Sequence, residues 1–391
     1  MQVTTGAGEV LKRAVDAAEV PGVVALAADE TGVIYEGAFG SRESGADRPM
    51  TLDTVFWIAS MTKAVTSVAA MQLVEQGRLD LDEPLGNLLP ALASPQVLEG
   101  FDADGMPRLR PATRPITLRL LLTHTAGFAY DTWNDETRLY YKNTGKPGLG
   151  SGKREAFRHV PLVFEPGERW EYGISIDWVG LAVEEASGKP LDAYFDEQIF
   201  SPLGMNDSGF VLGTSQRERR VSMHRRTGPT SFEVIPFELN QTPEFFMGGG
   251  GLYSTGPDYL RFLRMLLHGG ELDGARLLQS ETVAEMGRNQ IGDLSAGVLT
   301  SYNPGMSYSA EFFPGIPKRW GLGYMITTQE APSGRGAGSL AWGGMANTYF
   351  WLDPAKRVTG LIMTQLFPFA DPVVLDLLAR FEAAIYAQRG A

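Results

Sequence analysis

The sequence predicts an α/β (α+β) protein in which one largely antiparallel sheet, flanked by helices, is assembled from both ends of the chain around a mostly helical insertion. Three observations carry this. Strand-like runs fall at 22–28 and 32–39, and again at 321–328, 339–344, 348–353 and 358–365. Between about 80 and 230 the texture changes to short helical patterns and Pro/Gly-rich loops with little strand alternation. Residues 60–75 read as a helix whose apolar side chains (Met61, Ala64, Val65, Val68, Ala69, Met71, Leu73) wrap most of its circumference, so it needs protein on every side. Strands at both ends with helices between them place residues 1–80 and 230–391 in the sheet domain and 81–229 in the insertion.

Along the chain, 10–18 is a short amphipathic helix ending near Pro21. Asp29-Glu30-Thr31 between two β-rich runs signals a hairpin. Gly77 closes the 60–75 helix. Residues 116–122 and 178–187 are the clearest helices of the insertion, 257–267 is the helix that precedes the second group of strands, and 372–388 is a C-terminal helix.

The bulk numbers narrow the partners. Of 391 residues, 46 are acidic and 34 basic, giving a formal charge of −12 that disfavours nucleic acid. The densest basic stretch, Arg217, Arg219, Arg220, Arg225 and Arg226, reads as a solvated surface segment. With no cysteine, disulfides, thiol catalysis and Cys-ligated metals are excluded. No apolar stretch reaches the roughly 18 residues of a membrane span, and 1–20 has no apolar core of a signal peptide, so a cytoplasmic location is expected. Oligomeric state is not legible.

The chemistry begins at Ser60-Met61-Thr62-Lys63. Residues three apart share a helical face, so hydroxyl and amine can meet. Burial and the positive helix N-terminus both favour the neutral amine, which can take the serine proton. The same helix start leaves unpaired N–H groups, and that of Ser60 can face a developing oxyanion. The string alone also suits a serine N-cap and a snorkelling lysine. A lysine inside an otherwise apolar helix is what calls for another reason.

Around this motif the chain resembles the serine β-lactamase and penicillin-binding superfamily, class C-like, and within it the family VIII carboxylesterases. The resemblance spans roughly 21–386. It is carried by Phe56-Trp57-Ile58-Ala59-Ser60-Met61-Thr62-Lys63, by Leu120-Leu121-Leu122-Thr123-His124-Thr125-Ala126-Gly127, by Phe164-Glu165-Pro166-Gly167 leading to Trp170-Glu171-Tyr172, by Pro202-Leu203-Gly204-Met205, and by Gly249-Gly250-Gly251-Leu252-Tyr253-Ser254-Thr255. It implies Ser60, Lys63 and Tyr172 as catalytic residues. Class C enzymes carry Tyr-x-Asn where this chain has Tyr172-Gly173-Ile174-Ser175, so an amide contact is lost and Ser175 marks the esterase form. Where β-lactamases carry Lys-Thr-Gly, this chain has Trp342-Gly343-Gly344-Met345. Trp342 cannot pair with a substrate carboxylate, the two glycines permit close approach to the strand, and the Met345 N–H is implied as second oxyanion donor beside that of Ser60. A buried structural tyrosine and a Gly-kinked core strand are the bland alternatives for these two motifs.

His124 reads as a helix-end structural element. No His/carboxylate spacing fits a metal, and no cofactor is expected. Gly148-Leu149-Gly150-Ser151-Gly152-Lys153 fails the phosphate-loop spacing because Pro147 stands where the first glycine belongs. Phe128, Tyr130, Trp133, Tyr140 and Tyr141, with Tyr308, Phe312 and Phe313, supply candidates for an apolar substrate pocket, Phe128 and Tyr130 first among them. The expected function is a serine hydrolase, a carboxylesterase acting on small, short-chain esters through an acyl-enzyme on Ser60. Amide or β-lactam hydrolysis and acyl transfer are the alternatives within enzymes, and a silent binding scaffold is the alternative outside them. Which of Lys63 and Tyr172 is the base at each step stays open, because coupled groups share their protons.

Overall fold

Phe350 and Trp351 are neighbours on one strand and therefore point to opposite faces of its sheet. In the computed structural model, which describes residues 6–389, Phe350 packs against Tyr259 with ring centroids 5.6 Å apart, and Trp351 against Phe381 at 5.9 Å. Both faces are thus covered by helices. This explains strands that read as continuous apolar runs and not as alternations. Residues 1–5 and 390–391, the ends of the sequence-assigned sheet domain, lie outside the described residues.

Seven strands form the sheet: β1 (Gly22–Asp29), β2 (Val33–Gly40), β3 (Lys318–Trp320), β4 (Met325–Thr327), β5 (Ser339–Gly344), β6 (Thr348–Asp353) and β7 (Val358–Met363). Their spatial order is β3-β4-β5-β6-β7-β1-β2 and every pairing is antiparallel. β1 pairs with β7 in the register Leu26 to Leu361, so the two ends of the chain meet inside one sheet. Five helices cover this sheet or carry residues of the site: α1 (Gly6–Asp16), α2 (Thr62–Glu75), α3 (Ser175–Ser187), α4 (Gly256–Leu267) and α5 (Pro372–Arg389). α1 and α5 pack together on one face; α4 covers β1 and β7 on the other, and α2 packs against α3. α4 starts where Thr255 accepts the Asp258 N–H at 3.3 Å, with Pro257 in the first turn. Gly256 lets it sit close, since a Cβ there would come within 2.5 Å of Leu26 Cδ1.

The structure departs from the sequence reading in three places. The run 321–328 is a strand only over Met325–Thr327, because Gly321–Tyr324 turns, with Gly321 N–H bonded to the Tyr324 carbonyl at 2.8 Å. The middle segment contains a hairpin, Gln96–Phe101 with Pro107–Pro111, and a second, Met223–Gly228 with Ser231–Ile235, crosses its C-terminal boundary. They are only partly buried and carry Glu99, Arg108, Arg110, Arg225, Arg226 and Glu233, so no regular apolar alternation announced them. The arginine stretch is ion-paired: Arg217 and Arg220 with Glu238, Arg219 with Asp207, and Arg225 with Glu233. The Arg226 side chain is largely buried. It pairs with the fully buried Asp371 at the start of α5. Among the described residues no helix is long and apolar enough to cross a membrane, and no cluster of His, Asp or Glu could hold a metal ion.

Candidate active site

α2 is buried over its first three turns, every residue from Thr62 to Leu73. Ser60 precedes it on a 3₁₀ turn, Ala59–Met61, so the α-helix begins two residues later than the apolar pattern implies. Ala59 holds φ at +45°, a left-handed conformation that a non-glycine residue adopts at a cost. The bend turns Ser60 into an apolar cleft of about 330 Å³. Lys63, only 1% exposed, brings Nζ to 3.1 Å from Ser60 Oγ.

Lys63 Nζ also donates to the Gly249 carbonyl at 2.6 Å and to the Tyr130 hydroxyl at 3.1 Å. The glycine run 248–251 thus forms the lysine's floor. It is tied to α2 by Thr66 Oγ1 donating to the Gly248 carbonyl (2.6 Å) and by the Leu252 N–H donating to Thr62 Oγ1 (3.1 Å). Trp57 Nε1 holds the Gly250 carbonyl at 2.7 Å.

Tyr172 meets Lys63 with its ring and not its hydroxyl. Its ring lies under Lys63 Nζ, 4.8 Å from the centroid, while its hydroxyl accepts a hydrogen bond from Trp342 Nε1 at 3.0 Å. The hydroxyl bonded to the lysine belongs to Tyr130. Trp342 does not line the cleft: it is buried and contacts Tyr172 and Trp320. The glycines are corrected too. A Cβ on Gly343 would meet the Tyr349 ring at 2.4 Å, and one on Gly344 the Ile58 carbonyl oxygen at 2.2 Å and Thr348 Oγ1 at 2.3 Å. They admit the protein's own chain: Gly344 lets β5 lie against the turn that carries Ser60. Beyond it, Met345 lines the same cleft as Ser60. Neither residue's backbone N–H has a partner among the described hydrogen bonds.

Of the other expected substrate contacts, Tyr130 lines the cleft, with Trp133 and Tyr141. Phe128 does not: it is buried and stacked on Trp178. Ser175 is fully buried on the first turn of α3, outside the lining. The sequence reading missed Phe237, Leu239, Met247 and Met306, which complete the apolar wall from segments without a motif. Gly148 and Gly150 of the rejected phosphate loop sit on its rim.

The charged side chains of the lining are Asp131, exposed at the mouth, and Asp177, buried below. Burial pushes the Asp177 carboxyl up, and the Lys63 charge opposes this. Burial, then the negative charge of Asp177, drives the Tyr130 phenol well above its usual range, so it is neutral and donates a proton only in hydrogen bonds. His124 packs behind Tyr172 at 5.0 Å. Burial, reinforced by Lys63, holds its imidazole well below the usual range, and Nδ1 accepts the Gly173 N–H at 3.4 Å.

The helix-covered antiparallel sheet and the cleft serine paired with a buried lysine define a class, the serine β-lactamase and penicillin-binding superfamily. The chain belongs to the Beta-lactamase family, which matches it over residues 8–385. Within that family it is similar to monacolin J acid methylbutanoyltransferase of Aspergillus terreus, 33% identical, covering 96% of this chain and 94% of the relative. It is also similar to lovastatin esterase of Penicillium rubens, 34% identical over 97% of both chains. The solved structure of unliganded simvastatin synthase from Aspergillus terreus superimposes with a TM-score of 0.86 at 33% identity, covering 98% of this chain and 97% of that one. Acyltransferases and an esterase are thus its relatives, so the broad class is an enzyme working through an acyl-serine. The narrower short-chain carboxylesterase reading is not what these relatives share.

Proposed function

We propose that the protein opens carboxylic esters through an acyl-enzyme on Ser60 and passes the acyl group to water or to an alcohol. The observation that carries this reading is the 3.1 Å contact between Ser60 Oγ and a fully buried Lys63 at the wall of an apolar cleft. Ser60 Oγ attacks the ester carbonyl while its proton passes to Lys63 Nζ. The N–H groups of Ser60 and Met345 hold the oxyanion. The departing alkoxide takes a proton from Tyr172, whose hydroxyl Trp342 orients; Tyr130 aims Lys63. Lys63 then passes its proton back to Tyr172 and is neutral again. In the second half it takes the proton of an acceptor hydroxyl as that oxygen attacks the acyl carbon, and returns it to Ser60 Oγ as the acyl–serine bond breaks.

An apolar wall favours an alcohol of apolar body over water as acceptor, and the transferases among the relatives point the same way. The acidic lining and the tryptophan standing in place of lysine weigh against β-lactams and peptides anchored by a carboxylate. The test is cleavage of p-nitrophenyl butyrate with and without a primary alcohol, beside a chromogenic cephalosporin. Fast ester cleavage with new ester formed from the alcohol is expected. Cephalosporin turnover exceeding ester turnover would move the protein to the lactam hydrolases.

A further inference from the structure

Asp177 is 2% exposed, on the first turn of α3, and the chemistry above makes no use of it. Its Oδ1 accepts the Gly249 N–H at 2.9 Å. The fit is close, since a Cβ on Gly249 would lie 2.5 Å from Oδ2. The carbonyl of the same Gly249 accepts from Lys63 Nζ at 2.6 Å. One glycine therefore joins carboxylate to ammonium, its N–H on one and its oxygen on the other. Asp177 forms no direct ion pair among the described residues, and Lys63, beyond ion-pair distance, is the cation whose charge acts on it. The remaining titratable groups around the pair are Tyr130, Tyr141 and Tyr172, with Asp131 at the mouth and the uncharged His124 behind Lys63. None of these supplies a second positive charge.

We propose that Asp177 is a positioning residue for the acyl transfer: it fixes the Gly249 carbonyl that aims Lys63, and supplies the buried negative charge against which Lys63 gains and loses its proton. The inference rests on the acyl-serine reading for its purpose, but the coupling between the two side chains is a property of the fold.

The sign follows from Coulomb attraction. A buried carboxylate favours the charged lysine, and the reaction needs the neutral one, so removing the charge makes the active form available at lower pH. Asp177→Asn keeps an oxygen for the Gly249 N–H, removes the charge and alters the hydrogen bond with the Tyr130 hydroxyl. It is expected to move the Lys63 Nζ titration, followed by ¹⁵N NMR on the full chain and assigned with Lys63→Arg, down by about one to two pH units. The acidic limb of kcat/KM for p-nitrophenyl butyrate should move with it. Asp177→Ala should show the same displacement and a lower kcat, because the Gly249 loop also loses its anchor; its unfolding midpoint checks that it folds. Superimposable Lys63 titrations in wild type and Asp177→Asn would overturn the proposal even if activity fell. A displaced titration in a protein without Ser60-dependent turnover would leave this coupling standing and sink the functional reading instead.

Discussion

Two tyrosines flank Lys63 in different ways. Tyr130 offers its hydroxyl at 3.1 Å and Tyr172 its ring at 4.8 Å, with the Tyr172 hydroxyl bonded to Trp342. If Tyr172 returns the proton to the leaving group, Tyr172→Phe loses about 10²–10⁴-fold in kcat/KM for esters, the range of a positioned general acid. Tyr130→Phe removes one of three partners of the amine, and about a tenfold loss is expected, on the order of one ordinary hydrogen bond. The reverse ranking in steady-state kinetics would hand the proton transfer to Tyr130. At this scale Ser60 and Lys63 were legible in the sequence because their chemistry demands particular residue types at one helical spacing. Tyr130 and Asp177 were not legible in their roles. Tyr130 reaches the lysine from a loop and Asp177 is joined to it through Gly249 from a separate helix, and no local pattern encodes that meeting.

Elements set the geometry that these residues use. The turn Ala59–Met61 stays where it is because β5 can approach it, and β5 approaches because Gly344 has no side chain. Gly344→Ala must push a methyl group against the Ile58 carbonyl oxygen. A loss of about 1–3 kcal/mol in urea unfolding is expected, as for other overpacked sites, with a larger proportional loss in kcat than in substrate binding. The sequence announced that a glycine was needed on this strand; it could not say that the approaching atom belongs to the protein and not to a substrate. A second element, the segment leading into Tyr172, brings a pH dependence. Burial, with Glu136 adding to it and Arg169 and Asn134 opposing, raises Glu171 to about 7 from an ordinary 4.5. The folded state thus holds that proton more tightly than the unfolded chain. The resulting stability is fully present below about pH 4.5 and is lost as pH rises through about 7. Wild type should therefore lose on the order of 1–2 kcal/mol between pH 5 and pH 8 that Glu171→Gln keeps, read by urea unfolding at both values. Equal pH slopes for the two proteins would show that Glu171 titrates as if unfolded.

For the whole molecule, strands at both termini and a helix apolar on all sides were enough to foresee one sheet closed by the two chain ends, because no other arrangement buries them. The hairpins at 96–111 and 223–235 escaped notice because partly buried, charged ribbons carry no regular apolar alternation. The cleft's far wall escaped for a different reason: Phe237, Leu239, Met247 and Met306 are individually ordinary apolar residues and become a pocket only when the chain is folded. What the fold brings together is a serine with a buried lysine, and the central claim is that this serine carries the acyl group. The most direct measurement is the intact mass of the protein quenched during turnover of p-nitrophenyl butyrate, followed by mapping of the modified peptide, for wild type and Ser60→Ala. A butyryl adduct on Ser60, absent from the variant together with several orders of magnitude of turnover, is expected. An adduct on another residue, or ester cleavage that survives Ser60→Ala, would contradict it.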